Sequence, residues 1–125
     1  MYLLLKCVAE RGGIWQPITG GVEDTDASIL DAAYRELREE TGITQKDILK
    51  VIQNVHYFEM NKPQLTGEPV TLKEHVFGFE IKPATKILLS KEHESLEWLP
   101  FNDAIGRLKW KDNKEAFEKL NKLLK

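Results

Sequence analysis

A chain of 125 residues, 42% hydrophobic and 30% charged, has the size and composition of one globular domain with a real core. Its formal charge of −2 gives no general attraction to nucleic acid or to an anionic membrane, so a polyanion has to be captured by a local site. The single cysteine, Cys7, excludes an internal disulfide, and its apolar surroundings point to core packing rather than redox chemistry.

The opening apolar run is broken by Lys6. It is too short for a signal peptide or a membrane span, which leaves the cytoplasm as the expected compartment. Residues 2–9 read as a strand. Leu3, Leu4 and Leu5 show no alternation, as in a strand covered on both faces. Glu10 to Gly13 is a turn, and residues 14–18 return as a second strand whose Pro17 marks an end or an edge. Thr19, Gly20 and Gly21 then lead into a helix. Asp26 or Ser28 can cap it, the helix runs to about Thr41, and Gly42 suits a left-handed cap. Its expected buried stripe is Ile29, Ala32, Ala33 and Leu37. Residues 48–59 form a long strand, 60–69 a loop, and 70–81 a strand in which His75, Phe77, Phe79 and Ile81 share one face. These two strands pair as a hairpin. After Pro83 and a polar loop at 90–94 come a short strand at 96–99 and a helix at 102–108. A last helix, capped by Asp112 or Asn113, repeats Ala116, Phe117, Leu120 and Leu124 at helical spacing. No internal repeat, low-complexity segment or interdomain linker is visible, so residues 1–125 are expected to form one domain.

The chemistry gathers on the first helix. Glu36, Glu39 and Glu40 stand at offsets of zero, three and four, which brings three carboxylates to one helix face. Such crowding is unfavourable unless positive charge lies among them. A hard divalent cation such as Mg²⁺ prefers oxygen ligands of this kind. Gly20 and Gly21 supply a turn whose backbone can approach a ligand closely. The bland alternative is a solvated helix face that happens to be charged.

From Gly21 to Ile43 the chain resembles the Nudix box, G-x5-E-x7-R-E-U-x-E-E-x-G-U with U aliphatic. Gly21, Arg35, Glu36, Leu37, Glu39, Glu40, Gly42 and Ile43 match, and Ala27 stands where the box has glutamate. The resemblance implies an α+β fold, the Nudix α/β/α sandwich with a mixed β-sheet between helices. It also implies Mg²⁺, with Mn²⁺ as a substitute, held by Glu39 and Glu40, by Glu36 directly or through water, and by the Gly20 carbonyl. Arg35 would orient the carboxylates. The missing glutamate usually braces that arginine, so Glu23, Asp24 or Asp26 would have to replace it. Many relatives add a distant loop carboxylate as ligand or general base. Glu92 is the candidate here and Glu74 a weaker one. His75 and His93 show no zinc-ligand spacing and read as structural or substrate-edge residues. Members usually carry a strand before the segment equivalent to residues 2–9. Its lack leaves an edge that is open or covered by another chain, hence a monomer or a homodimer.

The stretch from Trp15 to Gly21, with Glu74 to Phe77, Glu92, His93, Trp98 and Leu99, is similar to the branch of dATP and dihydroneopterin triphosphate pyrophosphohydrolases. The substrate implied is a small nucleoside or pterin triphosphate, cut to monophosphate and pyrophosphate, with no nucleic acid or membrane partner. Trp15 or Tyr57 could stack on its flat ring, and Lys62, Lys73 or Lys111 could meet outer phosphates. Two alternatives remain open: hydrolysis of dinucleoside polyphosphates or nucleoside-diphosphate derivatives, and a weakly catalytic module that binds a nucleotide.

Overall fold

The computed structural model describes residues 1–18, 25–62 and 70–124. Within them the chain runs β1 (Tyr2–Cys7), β2 (Trp15–Gln16), α1 (Ile29–Thr41), β3 (Ile48–Lys62), β4 (Val70–Ile81), β5 (His93–Leu99), α2 (Phe101–Arg107) and α3 (Lys111–Leu123). β1 lies between β2 and β5, and β3 pairs with β4. Every one of these pairings is antiparallel. None of the helices described is long and apolar enough to cross a membrane.

The unalternating leucines of β1 are explained by its central place. Leu4 and Leu5 point to opposite faces of the strand, yet both are fully buried. Leu4 packs with Leu99, Ala104, Leu108 and Phe117, which seats α2 and α3 on that face. Tyr2 closes the cluster: its hydroxyl donates to Asn121 Oδ1 at 3.0 Å, and its ring meets Phe101 and Phe117. Truncating Leu4 to Ala is expected to cost about 2–5 kcal/mol of stability, read by denaturant unfolding. A loss below about 1 kcal/mol would mean that this core is loosely packed.

β3 and β4 form a long hairpin with register Ile48↔Ile81 to Lys62↔Val70 and an irregularity between Ile52 and His56. Asn54 sits in that irregularity at φ 57°, a left-handed conformation that asparagine tolerates better than most residues. The hairpin separates two helices. Phe79 meets Tyr34 of α1, ring centroids 5.5 Å apart. On the other face Gly78 admits α3 so closely that an added Cβ would stand 2.6 Å from Leu120 Cδ1. Helix, hairpin and helix thus make the expected α/β/α layering.

Several expectations move at their edges. β2 is reduced to Trp15–Gln16 and stops before Pro17. β3 extends into the expected loop, to Lys62, and β5 begins at His93 rather than at 96. Ile29 is exposed, because it occupies the first position of α1 and the buried stripe is instead Ala32, Leu37, Glu40 and Thr41. Trp110 stands at the start of α3, with no side-chain cap; Asp112 already lies in the first turn.

Candidate active site

Ser28 caps the start of α1, its Oγ accepting from the Asp31 amide at 3.0 Å. The helix ends at Gly42, φ 76°, whose amide donates to the Arg38 carbonyl at 2.8 Å. The two caps hold the carboxylate-bearing turns in a regular helix. Within it Arg35 acts as a hub. Its Nε and NH2 donate to Asp26 Oδ1 and Oδ2 at 3.0 and 3.1 Å. NH1 donates to Glu36 Oε1 at 2.7 Å and to Glu39 Oε2 at 3.2 Å. The Arg35 and Asp26 side chains are only 12% and 6% exposed, so the fork is shielded from water and geometrically specific. The hydrogen bond to Asp26, and then the one to Glu36, hold the guanidinium protonated far beyond its ordinary range, against the burial that opposes charge. Asp26 therefore stands in for the glutamate missing at Ala27. Glu23 and Asp24 lie outside the described residues.

Glu36 and Glu39 each direct one oxygen at Arg35, so Glu36 Oε2 and Glu39 Oε1 lie outside that pairing. Glu40 is buried on the same helix. An oxygen-only set on one helix face fits a hard divalent cation, the charge Arg35 now partly balances. The loop carrying Glu92 is tied to this end of α1. The Leu88 amide donates to the Thr41 carbonyl at 2.8 Å and the Ser90 amide to the Glu40 carbonyl at 3.4 Å. The Glu92 carbonyl in turn accepts from Val8 at 3.1 Å. Two residues before Glu92 the loop thus meets the helix end that bears Glu40. Gly20 and Gly21 lie outside the described residues.

The other residues singled out in the sequence are scattered over the hairpin, β2, β5 and α3. Tyr57 and His75 share the α1 side with Phe79 by strand alternation; their rings are 4.8 Å apart, and the Tyr57 hydroxyl donates to Glu59 at 2.8 Å. Lys73 stands opposite Glu59 in the ladder. Lys62 lies in β3 by its backbone, its side chain outside the described part. Trp15 packs against the core, and the Arg107 guanidinium covers one ring face at 4.8 Å, so that face is already occupied. Arg107 also ion-pairs with Glu97. Lys111 belongs to α3, 3.8 Å from Glu115. His93 is buried, 3.5 Å from the Gln16 amide.

Glu74 shares the α3 face with Gly78, away from α1. Burial raises its carboxyl above the ordinary range, with His75 opposing. A carboxyl raised on folding binds more protons in the folded chain, so its contribution to stability falls as pH climbs from the unfolded to the folded value. Glu74→Gln is expected to melt at or above the parent temperature near neutral pH, the difference closing below about pH 4. A lower melting temperature at neutral pH would reveal a stabilising partner for the carboxylate.

A sandwich with an arginine-braced carboxylate helix on one face defines an α+β protein whose oxygen donors gather on one helix. The NUDIX domain family model matches residues 3–121, and the chain belongs to that family. An octanoyltransferase of Myxococcus xanthus is 32% identical over 117 residues, 94% of this chain and 31% of that protein. An RNA pyrophosphohydrolase of Bartonella tribocorum is 48% identical over 50 residues, 40% of this chain and 28% of that protein. The chain thus spans less than a third of the length of either relative. Among solved structures, a Listeria monocytogenes protein described as a NUDIX hydrolase superposes with a TM-score of 0.81 at 27% identity, over 98% of this chain and 82% of that one. The E. coli dihydroneopterin triphosphate pyrophosphohydrolase gives 0.75 at 24% identity, over 94% of this chain and 82% of that one, a likeness of fold.

Proposed function

We propose that the chain is a Mg²⁺-dependent Nudix pyrophosphohydrolase that cuts a phosphoanhydride bond in a nucleoside or pterin triphosphate, giving monophosphate and pyrophosphate. The observation that carries this reading is the Arg35 fork. It is complete despite Ala27, because Asp26 fills the bracing role and leaves the Glu36, Glu39 and Glu40 set intact.

Glu39 and Glu40 would be the main ligands, Glu36 a further one, and the Gly20 carbonyl would complete the shell. The bound cation neutralises charge on the phosphate oxygens and helps orient the attacking water. Arg35 fixes the directions of Glu36 and Glu39. Glu92, on the loop tied to the end of α1, takes the water's proton or adds a ligand. Tyr57 and His75, exposed side by side on the α1 face of the hairpin, offer a surface for a flat base or pterin ring.

The test is product release across dATP, dihydroneopterin triphosphate, 8-oxo-dGTP, a dinucleoside polyphosphate and a triphosphate-ended RNA. The last follows from the identity shared with the Bartonella protein. Pyrophosphate from the free triphosphates supports the reading. Activity confined to the dinucleoside polyphosphate or to RNA moves the substrate class. Binding without turnover throughout leaves a nucleotide-binding module.

A further inference from the structure

Behind the hairpin, on the side away from α1, lies a group of side chains that the carboxylate helix does not use. The His56 side chain of β3 is 7% exposed, and its Nε2 stands 3.7 Å from Asp112 Oδ1 and from Glu115 Oε2. Among the described residues that nitrogen has no hydrogen-bond partner. The other ring nitrogen, Nδ1, is 2.8 Å from Lys119 Nζ. Asp112, Glu115 and Lys119 follow one face of α3 at offsets of zero, three and seven. A buried imidazole nitrogen aimed at two carboxylates and bonded to neither is unusual.

The spacing suggests what belongs there. At 3.7 Å the nitrogen is too far for an N–H···O bond, which closes near 2.7–3.2 Å. Ligands about 2.1 Å from a tetrahedral metal ion stand about 3.4 Å apart. The three ligand atoms already lie within 4.8 Å of one another, and no other such trio occurs among the described residues. We propose that His56 Nε2, Asp112 and Glu115 form a second metal site, for a borderline divalent ion of the Zn²⁺ type, and that Lys119 controls its occupancy. One imidazole nitrogen with two carboxylates favours such an ion over Mg²⁺, which takes oxygen donors. Water would complete the tetrahedron.

The control by Lys119 follows from the tautomer. An ammonium only donates, so its bond to Nδ1 leaves the proton of a neutral ring on Nε2. Ligation needs Nε2 bare, so the ring proton must pass through solvent to Nδ1, and Lys119 must turn away. Lys119 is exposed. His56 and Lys119 also line a cavity of about 310 Å³, which gives a hydrated ion an approach to the ring. Once bound, the ion ties the first turn of α3 to β3.

The experiment is Zn²⁺ binding, measured by competition with a chromogenic chelator in millimolar Mg²⁺ to occupy oxygen-only sites. The wild type is expected to take up one Zn²⁺. His56→Gln, and separately the double variant Asp112→Asn/Glu115→Gln, lose affinity by more than the 10–100-fold, roughly, that removing an outer partner costs. The double variant alters two partly exposed side chains and keeps the test valid if His56→Gln does not fold. Lys119→Gln, whose amide oxygen can accept from Nδ1–H, gains about tenfold. Failure of the wild type to bind Zn²⁺, unchanged affinity in the site variants, or weaker binding in Lys119→Gln would overturn the proposal.

Discussion

Replacing Glu39 and Glu40 together by glutamine is expected to abolish Mg²⁺-dependent pyrophosphate release while leaving the chain folded. Removing the anionic ligands withdraws several kcal/mol of charge stabilisation from the transition state. At 1.36 kcal/mol per factor of ten, that is a fall on the order of 10³-fold. The fold should survive, for a reason specific to each position. The Glu39 side chain is 53% exposed, and a glutamine oxygen can still accept from Arg35 NH1. Glu40 is buried, but glutamine keeps its shape and its capacity to hydrogen-bond while removing the charge. Turnover and melting temperature should therefore separate. Retained turnover in the folded double variant would place the chemistry elsewhere.

The second large effect is expected at Asp26, a residue outside the box pattern. Asp26→Ala removes the two contacts that Nε and NH2 of Arg35 make with Asp26, while NH1 keeps Glu36 and Glu39. The guanidinium then loses the anchor that sets its direction, and the carboxylates it orients lose theirs. An outer partner of this kind is worth about 10–100-fold in metal affinity or activity. The fall should appear mainly as a higher Mg²⁺ requirement. Ala27→Glu in the Asp26→Ala background restores a carboxylate one residue along, where the box normally has it, and should recover most of the loss. Full activity in Asp26→Ala would show that Arg35 needs no brace. A loss that Ala27→Glu leaves untouched would make Asp26 important for some other reason.

That one-residue shift shows where sequence reading succeeds and where it stops. The C-cap of α1 was legible at Gly42 and the N-cap as Asp26 or Ser28, of which Ser28 does the capping, because caps act locally. So was β1, since a run of leucines without alternation has few other uses, and so was β4, whose bounds follow a clean period of two. That Asp26 grips Arg35 was legible only as one of three candidates. It depends on how the chain enters α1, which no spacing rule specifies. Ile29 shows the same limit: its helical phase was right for burial, but the helix begins at that residue, which stays exposed. The His56 group was invisible for a stronger reason. Asp112 and Glu115 read as ordinary helix-surface acids, and only the β3–α3 packing brings them to a histidine 56 residues earlier than Asp112.

The most direct measurement is product analysis of the favoured triphosphate with EDTA-treated protein, before and after Mg²⁺ is restored. Pyrophosphate and monophosphate in equal amounts, absent under EDTA and recovered with Mg²⁺ in the wild type but not in Glu40→Gln, is the expected result. Hydrolysis that continues under EDTA, or that survives Glu40→Gln with full Mg²⁺ dependence, would contradict a reaction built on the carboxylates of α1.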